Sequence, residues 1–125
     1  MNDRNCKISD AEWLIMKVLW RNSPLTTTKI IEEVSKEAKW NPKTIHTLIS
    51  RLVKKEALGV DKDSGQYKFY PIVTRDECIQ EETGSFVRKI YEGSIYNLVA
   101  NFIHDEKMTA EEMEELKKLL DEKLK

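Results

Sequence analysis

The segment WNPKTIHTLISRL, from Trp40 to Leu52, carries the clearest chemical pattern in the chain. Asn41 and Pro42 mark a helix start, because asparagine caps helices and proline is favoured at the first helical position. At about 100° per residue, the isoleucines and leucines of this helix share one face. The opposite face carries short hydroxyl side chains and cations: Lys43, Thr47, Ser50, Arg51 and Lys54. No acidic residue occurs between Lys43 and Lys55, unlike the mixed Glu/Lys surface of an ordinary solvated helix.

Hydroxyls and cations on a slim helix are the groups that bind double-stranded DNA. Threonine can hydrogen-bond base edges or phosphates, and lysine and arginine bind guanine edges or phosphates. Free N–H groups at the helix start would add a phosphate-binding site. Lys62 and Lys68 follow the helix and could hold the DNA backbone beside it. We therefore predict DNA contacts from four residues of this face and from these two lysines; the four are Lys43, Thr47, Arg51 and Lys54. A solvated amphipathic helix with a positive bias is the open alternative.

This segment is the third of three predicted helices, and each of the three has its own start signal. Ser9-Asp10-Ala11-Glu12 is a capping box for the first helix, which ends at Asn22-Ser23-Pro24. A very short strand at Leu25 precedes a second helix that starts near Thr26 or Thr27 and ends around Ala38. The third helix, which carries the polar face, runs from Pro42 to about Ala57.

After the third helix the apolar residues alternate, as in a strand. Leu58 and Val60, a turn at Asp63-Ser64-Gly65, and then Tyr67, Phe69 and Tyr70 predict a β-hairpin. Three helices and a two-stranded wing make a winged helix-turn-helix domain, which we place at residues 1–72. Winged helices also serve as protein-binding modules, and the third helix would then expose large apolar anchors. Its outer face has none, which favours DNA.

A long helical pattern follows the hairpin. Thr74-Arg75-Asp76-Glu77 is a second capping box, and apolar residues recur every three or four positions from Ile79 to Ile103. This predicts one long apolar stripe, interrupted by Gly84 and Gly93, where the helix can bend or approach another helix closely. A third capping box at Thr109 starts a last helix. The order is helix, helix, helix, hairpin and two more helices, so the fold class is mainly α.

Residues 73–125 form the predicted second domain, a helical dimerisation domain. About 50 residues of helix are too few to close a core alone. Pairing with a second copy would bury the stripe and space two third helices along DNA. We predict a homodimer interface formed by Phe86, Ile90, Ile95, Leu98, Val99, Phe102, Leu116 and Leu120. Folding of the long helix back onto its own domain is the alternative.

Charge and cysteine usage bound the setting. Residues 1–72 carry a balance of +4 and residues 73–125 a balance of −5, within a net charge of −1. Cys6 and Cys78 lie far apart in sequence and outside any CxxC, which indicates reduced thiols in a cytosolic protein. The sequence shows no signal-peptide pattern and no apolar run near the roughly 20 residues of a membrane span. We predict a cytoplasmic protein without membrane insertion.

Catalytic and metal-binding patterns are missing from the sequence. It contains no P-loop, GxGxxG, GxSxG, HExxH or Ser-x-x-Lys motif. His46 and His104 are isolated in sequence from the two cysteines, so the spacing of metal ligands does not occur. We predict neither an enzyme nor a bound metal or cofactor, and we interpret His46, at the border of the polar face, as a plain surface residue.

The chain resembles the penicillinase and methicillin-resistance repressors, the BlaI/MecI family of winged-helix regulators from Gram-positive bacteria. The resemblance covers nearly the whole chain and is carried by ISDAEWLIMKVLW, WNPKTIHTLISRLVKK, FVRKIYEGSIYNLVANF and EEMEELKKLL. It implies a homodimer that represses transcription from palindromic operators, typically with TACA/TGTA half-sites. It also implies that Lys43, Thr44, Thr47 and Arg51 match the contact positions of the recognition helix.

The resemblance further implies induction by proteolysis. In the antibiotic-sensing members a membrane metalloprotease sensor triggers cleavage of an Asn–Phe bond in the dimerisation domain, and Asn101-Phe102 stands at the matching place. The copper-responsive branch has a cysteine-rich C-terminal motif, and this chain has no cysteine after Cys78. A family member that represses unrelated genes in response to a different inducer is an open alternative.

Overall fold

A computed structural model describes residues 6–63 and 65–125. The chain divides into two compact units, one that ends at Thr83 and one that spans Gly84–Lys125. The helices are α1 (Asp10–Arg21), α2 (Thr27–Ser35), α3 (Pro42–Lys54), α4 (Arg75–Tyr91), α5 (Ile95–His104) and α6 (Ala110–Leu124). The strands are β1 (Leu25–Thr26), β2 (Leu58–Asp61) and β3 (Lys68–Pro71). The mainly α fold class and the winged-helix order are confirmed.

The predicted helix starts form as the sequence indicates. Ser9 Oγ accepts from the Glu12 N–H at 3.1 Å, and Glu12 Oε1 accepts from the Ser9 N–H at 2.9 Å. The same reciprocal pair forms at Thr74 and Glu77 and at the start of α6. Each capping box satisfies two N–H groups that a helix start would otherwise leave unpaired. These local interactions define where the helices begin.

The wing is a small antiparallel sheet with the strand order β1-β3-β2. β2 pairs with β3 so that Gly59 lies opposite Tyr70, and β1 adds the pair Leu25 and Phe69. A Cβ atom on Gly59 would lie 2.4 Å from Tyr70 Cζ, so glycine is what lets the tyrosine ring cross the strand there. The predicted hairpin and short first strand are confirmed, although Ser64 of the predicted turn lies outside the described residues.

One hydrophobic core joins the elements of the first unit. Its fully buried members include Ile15, Met16, Leu19, Ile30, Val34, Ile45, Leu52 and Leu58. Val73 and Cys78, which follow the wing, are buried in the same core. The Trp20 indole N–H donates to the Val73 carbonyl at 3.0 Å, and the Ile72 N–H donates to the Ala57 carbonyl at 2.8 Å. The first compact unit therefore extends past the predicted division after residue 72.

The long apolar stripe predicted from Ile79 to Ile103 is not one helix, and this expectation was wrong. α4 ends at Tyr91 and α5 begins at Ile95, so the described part of the chain has three helices after the wing instead of two. Glu92 and Gly93 take left-handed φ values of 51° and 89°, and the Ser94 side chain caps α5 by accepting from the Asn97 N–H. Gly93 allows this conformation at little steric cost. Gly84 lies inside α4 without interrupting it.

α3 ends in a Schellman motif whose left-handed residue is not glycine. The Ala57 N–H donates to the Leu52 carbonyl at 2.9 Å and the Glu56 N–H to the Val53 carbonyl at 3.0 Å, with Glu56 at a φ of 66°. A side chain at this position costs about 1 kcal/mol or more, because its Cβ crowds the backbone. The end of the helix that carries the polar face is therefore held by hydrogen bonds against a local strain.

We expect Glu56→Gly to raise the free energy of unfolding by about 0.5–1 kcal/mol, the relief of strain less the added freedom of the unfolded chain. Urea denaturation measures this change. Glu32→Gly is the matched control, because Glu32 is exposed in the right-handed interior of α2, where glycine costs about 1 kcal/mol. Equal destabilisation by both substitutions would show that Glu56 carries no strain.

No helix among the described residues is both long enough and apolar enough for a membrane span.

Candidate nucleic-acid interface

The polar face of α3 is exposed because the opposite side of the helix is buried in the core. Ile45, Leu48, Ile49 and Leu52 are buried in the core of the first unit. Their spacing of three and four residues anchors the helix along its whole length, so its polar side chains point outward. These exposed side chains line a shallow depression of about 310 Å³, formed by Lys43, His46, Thr47, Ser50, Arg51 and Lys54. We call these six residues the α3 face.

The α3 face carries three permanent cations, two hydroxyls and one imidazole, and no carboxylate lines it. The Thr47 hydroxyl donates to the Lys43 carbonyl at 3.1 Å, so its oxygen keeps lone pairs that can accept from a base amino group. Thr44 is exposed on the same helix but does not line the depression. The structure thus brings four of the five predicted α3 contacts together and leaves Thr44 beside them.

His46, interpreted from the sequence as a plain surface residue, is exposed and also lines this depression. It lies one turn from both Lys43 and Ser50, and all three line the same depression. Its wheel position at the border between the faces concealed this, because a wheel treats the helix as an isolated cylinder. The depth of the neighbouring packing decides which border residues join an exposed face.

The helix start does not offer the free N–H groups that the sequence suggested, and this expectation was wrong. Pro42 has no N–H, the Lys43 N–H donates to Asn41 Oδ1 at 2.8 Å, and the Thr44 N–H donates to the Asn41 carbonyl at 2.8 Å. The cap that starts the helix therefore uses the donors that a phosphate would need. A phosphate at the start of α3 would therefore have to be bound by side chains.

The end of α3 is tied to the start of α1 by an ion pair. Lys55 Nζ lies 2.7 Å from Glu12 Oε1 and donates to the Lys7 carbonyl at 2.8 Å. Burial would raise the pKa of Glu12, but the hydrogen bonds from Lys55 and Ser9 and the charge of Lys55 hold it below its ordinary value. The charged carboxylate thus serves both the α1 capping box and the lysine that follows the α3 face. The sequence around Glu12 indicates only its capping role, because Lys55 is 43 residues away.

The predicted wing lysines, Lys62 and Lys68, do not line the depression of the α3 face. Lys62 Nζ lies 5.3 Å from the centre of the exposed Tyr67 ring, a cation–π contact that leaves the ammonium open to solvent. Lys68 is half-buried on β3, opposite Asp61 on β2 and Thr26 on β1. Of the two, Lys62 is the more exposed cation for a phosphate.

The second unit exposes much of the stripe that was predicted to form an interface. Neither α5 nor α6 has a buried residue. Predicted interface residues with large exposed side chains are Phe86, Ile90, Ile95, Phe102 and Leu120, which are between 43% and 57% exposed, while Leu98, Val99 and Leu116 are half-buried. A groove of about 510 Å³ within this unit is lined by Phe102, Lys107, Met108, Glu112, Glu115, Leu116 and Leu119.

The Asn101–Phe102 bond lies inside α5. The Asn101 carbonyl accepts from the Asp105 N–H at 3.0 Å, and the Phe102 carbonyl accepts from the Lys107 N–H at 3.0 Å. The Asn101 amide also donates to the Tyr91 hydroxyl at 3.0 Å, and both residues of the bond are exposed. The bond is accessible from solvent but held in helical geometry, so a protease could cut it only after local opening.

Comparison with known proteins gives a consistent set of relatives. A family model described as penicillinase repressor matches residues 8–122. The penicillinase repressor of Bacillus licheniformis is 37% identical over 116 residues, which cover 93% of this chain and 91% of that protein. The methicillin resistance regulatory protein MecI of Mammaliicoccus sciuri is 35% identical over 123 residues, which cover 98% of this chain and all of that protein.

Two solved structures resemble part of the chain. The DNA-binding domain of the repressor BlaI is 39% identical, with a TM-score of 0.53, and the match covers 62% of this chain and 93% of that one. The monomeric form of Bacillus licheniformis BlaI, in complex with the blaP half-operator, is 41% identical, with a TM-score of 0.52 over 57% of this chain and 87% of that one.

Proposed function

The chain belongs to the penicillinase repressor family and is a DNA-binding transcriptional repressor, and we propose that it acts as a homodimer on palindromic operators. Its family consists of repressors, so the chain is not an enzyme. The penicillinase and methicillin-resistance repressors among its relatives support β-lactam-resistance genes as its targets.

The observation that carries this proposal is the α3 face. Three cations and two hydroxyls lie together on the exposed side of α3, and no carboxylate lines the depression between them. Lysine and arginine that neutralise phosphates release counterions, which supplies most of the affinity, while hydroxyls and Arg51 can reach base edges. A protein-binding helix would need large apolar anchors here, and the α3 face has none. We assign Lys43, Thr44, Thr47, Arg51 and Lys54 to DNA contact, with Lys62 and Lys68 on the flanking backbone.

The apolar surface of the second unit supports the proposed homodimer. Large apolar side chains on α4, α5 and α6 remain exposed, and surfaces of this kind mark interaction sites. A second copy offers an identical surface, so the patch can pair with itself about a twofold axis. The relative whose monomeric form is described with a half-operator supports two copies on a whole operator. We propose Phe86, Ile90, Ile95, Leu98, Val99, Phe102, Leu116 and Leu120 as interface residues.

We further propose that cleavage between Asn101 and Phe102 relieves repression. The cut would separate α6 from the rest of the chain and divide the apolar surface that pairs the two copies. A membrane sensor metalloprotease that triggers the cut is the expected partner. The Asp105 N–H holds the Asn101 carbonyl of the scissile bond in the helix. Cleavage should therefore require α5 to open locally, and its rate should rise with the frequency of that opening. A chain that resists such cleavage would favour the alternative, a repressor of unrelated genes with a different inducer.

The test of DNA binding is a mobility shift with a palindrome of TACA and TGTA half-sites, measured over a range of salt concentrations. If two copies each use five cations, the logarithm of affinity should fall with the logarithm of salt with a slope of up to about −9. Absence of binding at low salt, or affinity that does not change with salt, would refute the proposal.

Arg51→Ala should weaken binding to a single half-site by roughly 10- to 100-fold, because a lost arginine contact to a guanine edge or phosphate is worth about 1–3 kcal/mol. The thermal melt should stay unchanged, since Arg51 is exposed on the α3 face. Arg21→Ala is the matched control: Arg21 is an exposed arginine on α1 that pairs with Glu37 at 3.0 Å and should leave affinity within about twofold. A large fall in melting temperature for Arg51→Ala would make Arg51 a structural residue.

A further inference from the structure

Two thiols that are distant in sequence meet in the core of the first unit. Cys6 Sγ lies 2.7 Å from Cys78 Sγ, and both cysteines are free and buried. Cys6 precedes α1, and Cys78 lies in the first turn of α4. The exposed fractions of the two residues are 5% and 0%, so their sulfurs face each other within packed apolar side chains rather than solvent.

We propose that Cys6 and Cys78 form a redox-active pair that closes to an intramolecular disulfide and stabilises the first unit. A disulfide has an S–S distance of about 2.0 Å, so the sulfurs need to approach by only about 0.7 Å from their 2.7 Å separation. Both side chains already belong to one core, so closing the bond preserves the packing around it. The cross-link would hold the segment before α1 against the helix that follows the wing.

The oxidant that balances this reaction is a low-molecular-weight disulfide. One cysteine thiolate attacks a sulfur of the reagent, which forms a mixed disulfide and releases one reagent thiolate. The second cysteine thiolate then attacks the protein sulfur of the mixed disulfide and releases the second reagent thiol. The two cysteines lose two electrons and two protons, and the reagent disulfide gains them as two thiols.

The surroundings of the pair make this reaction slow in the native state. Burial raises the pKa of the Cys78 thiol far above its ordinary value, and Cys6, Glu77 and Glu82 raise it further. The thiolate is the reactive species, so exchange should proceed mainly when the segment around Cys6 opens. The pair therefore responds to sustained oxidation and not to brief exposure.

The cross-link should stabilise strongly because it joins residues that are 72 apart in sequence. Closing a loop of this length removes much of the entropy of the unfolded chain. The α3 face should keep its geometry, because none of its residues is a member of the core that holds the two sulfurs. Oxidation is thus expected to prolong the life of a folded, operator-binding repressor.

The test exposes the full chain to bis(2-hydroxyethyl) disulfide, a small neutral reagent, in urea near the unfolding midpoint, and then returns it to buffer. We expect a chain without interchain cross-links that has lost two hydrogen atoms by mass spectrometry, melts roughly 10 °C or more above the reduced chain, and binds the operator equally well. Reduction with dithiothreitol should reverse the change.

Cys6→Ala and Cys78→Ala are the matched controls. Each retains one thiol, so each should gain a reagent adduct and show no rise in melting temperature. Two free thiols, reagent adducts or interchain disulfides in the unsubstituted chain would overturn the proposal. An intramolecular disulfide that lowers the melting temperature would show that the cross-link strains the core, and would overturn the stabilising role.

Discussion

A chain that ends at Asn101 should bind a whole palindromic operator at least about 100-fold more weakly than the full chain. It lacks Phe102 and α6, and with them part of the apolar surface that we assign to the dimer. In the dimer, binding of one winged-helix unit places the second unit next to its half-site. Once the copies separate, this high effective concentration is lost. Avidity of this kind contributes about 10²- to 10⁴-fold and is lost without any change in the α3 face.

Light scattering and mobility shifts measure the two parts of this expectation. The truncated chain should scatter as a monomer, and its affinity for a single half-site should equal that of the full chain. The half-site serves as the internal control, because the described core of the first unit lies before Thr83 and should fold without α6. A truncated chain that remains dimeric would refute the switch, and loss of half-site binding would mean that the first unit had unfolded.

The second large effect concerns the ion pair behind α3. Lys55→Met should lower the free energy of unfolding by about 3 kcal/mol at neutral pH, because Glu12 would keep its charge in a buried site without its partner. Only 4% of the Glu12 side chain is exposed, and Lys55 Nζ is its one cation, at 2.7 Å, among the described residues. Denaturation in urea measures the loss. Lys17→Met is the matched control, because Lys17 pairs with Glu37 at 3.4 Å on an exposed surface and should change stability little.

The pH dependence distinguishes this pair from a general loss of packing. The pKa of Glu12 is lowered in the folded chain, so its contribution is present above the ordinary carboxyl pKa and is lost as pH falls through the lowered value. In Lys55→Met, burial remains and the cation is gone, so protonation of Glu12 should now favour folding. The difference between the two proteins should therefore shrink as pH falls from neutral through the ordinary carboxyl range toward the lowered pKa of Glu12. A difference that stays constant with pH would mean that Lys55 acts through packing alone.

Local sequence determined where most helices begin. The three capping boxes need only residues three positions apart, and all three form. Asn41 and Pro42 start α3 for the same reason, since a cap and a first-turn proline act within one turn. Periodicity determined which side of α3 is buried, because Ile45, Leu48 and Leu52 can share only one face. The winged-helix order and the composition of the polar face were therefore predictable.

The break before α5 also has a local signal in the sequence, but the regular spacing of apolar residues across it favoured a continuous helix. Apolar spacing continues through residues 92–94, whereas Gly93 and Ser94 carry the end signal of one helix and the cap of the next. The left-handed turn at Glu92 and Gly93 prevailed because backbone conformation ends a helix even where side-chain spacing would continue it. Weighing Gly-Ser as a stop and a start would have revealed three helices.

Only the tertiary structure decided which distant residues act together. Lys55 meets Glu12 across 43 positions, Cys6 meets Cys78 across 72, and His46 joins the α3 face. The Lys43 N–H, which the sequence predicted to be free for a phosphate, donates to the Asn41 side chain instead. Short-range hydrogen bonds and periodicity act along the chain and can be read from it. Ion pairs, thiol pairs and exposed faces depend on how elements pack, and packing arises from many weak contacts that no single segment contains.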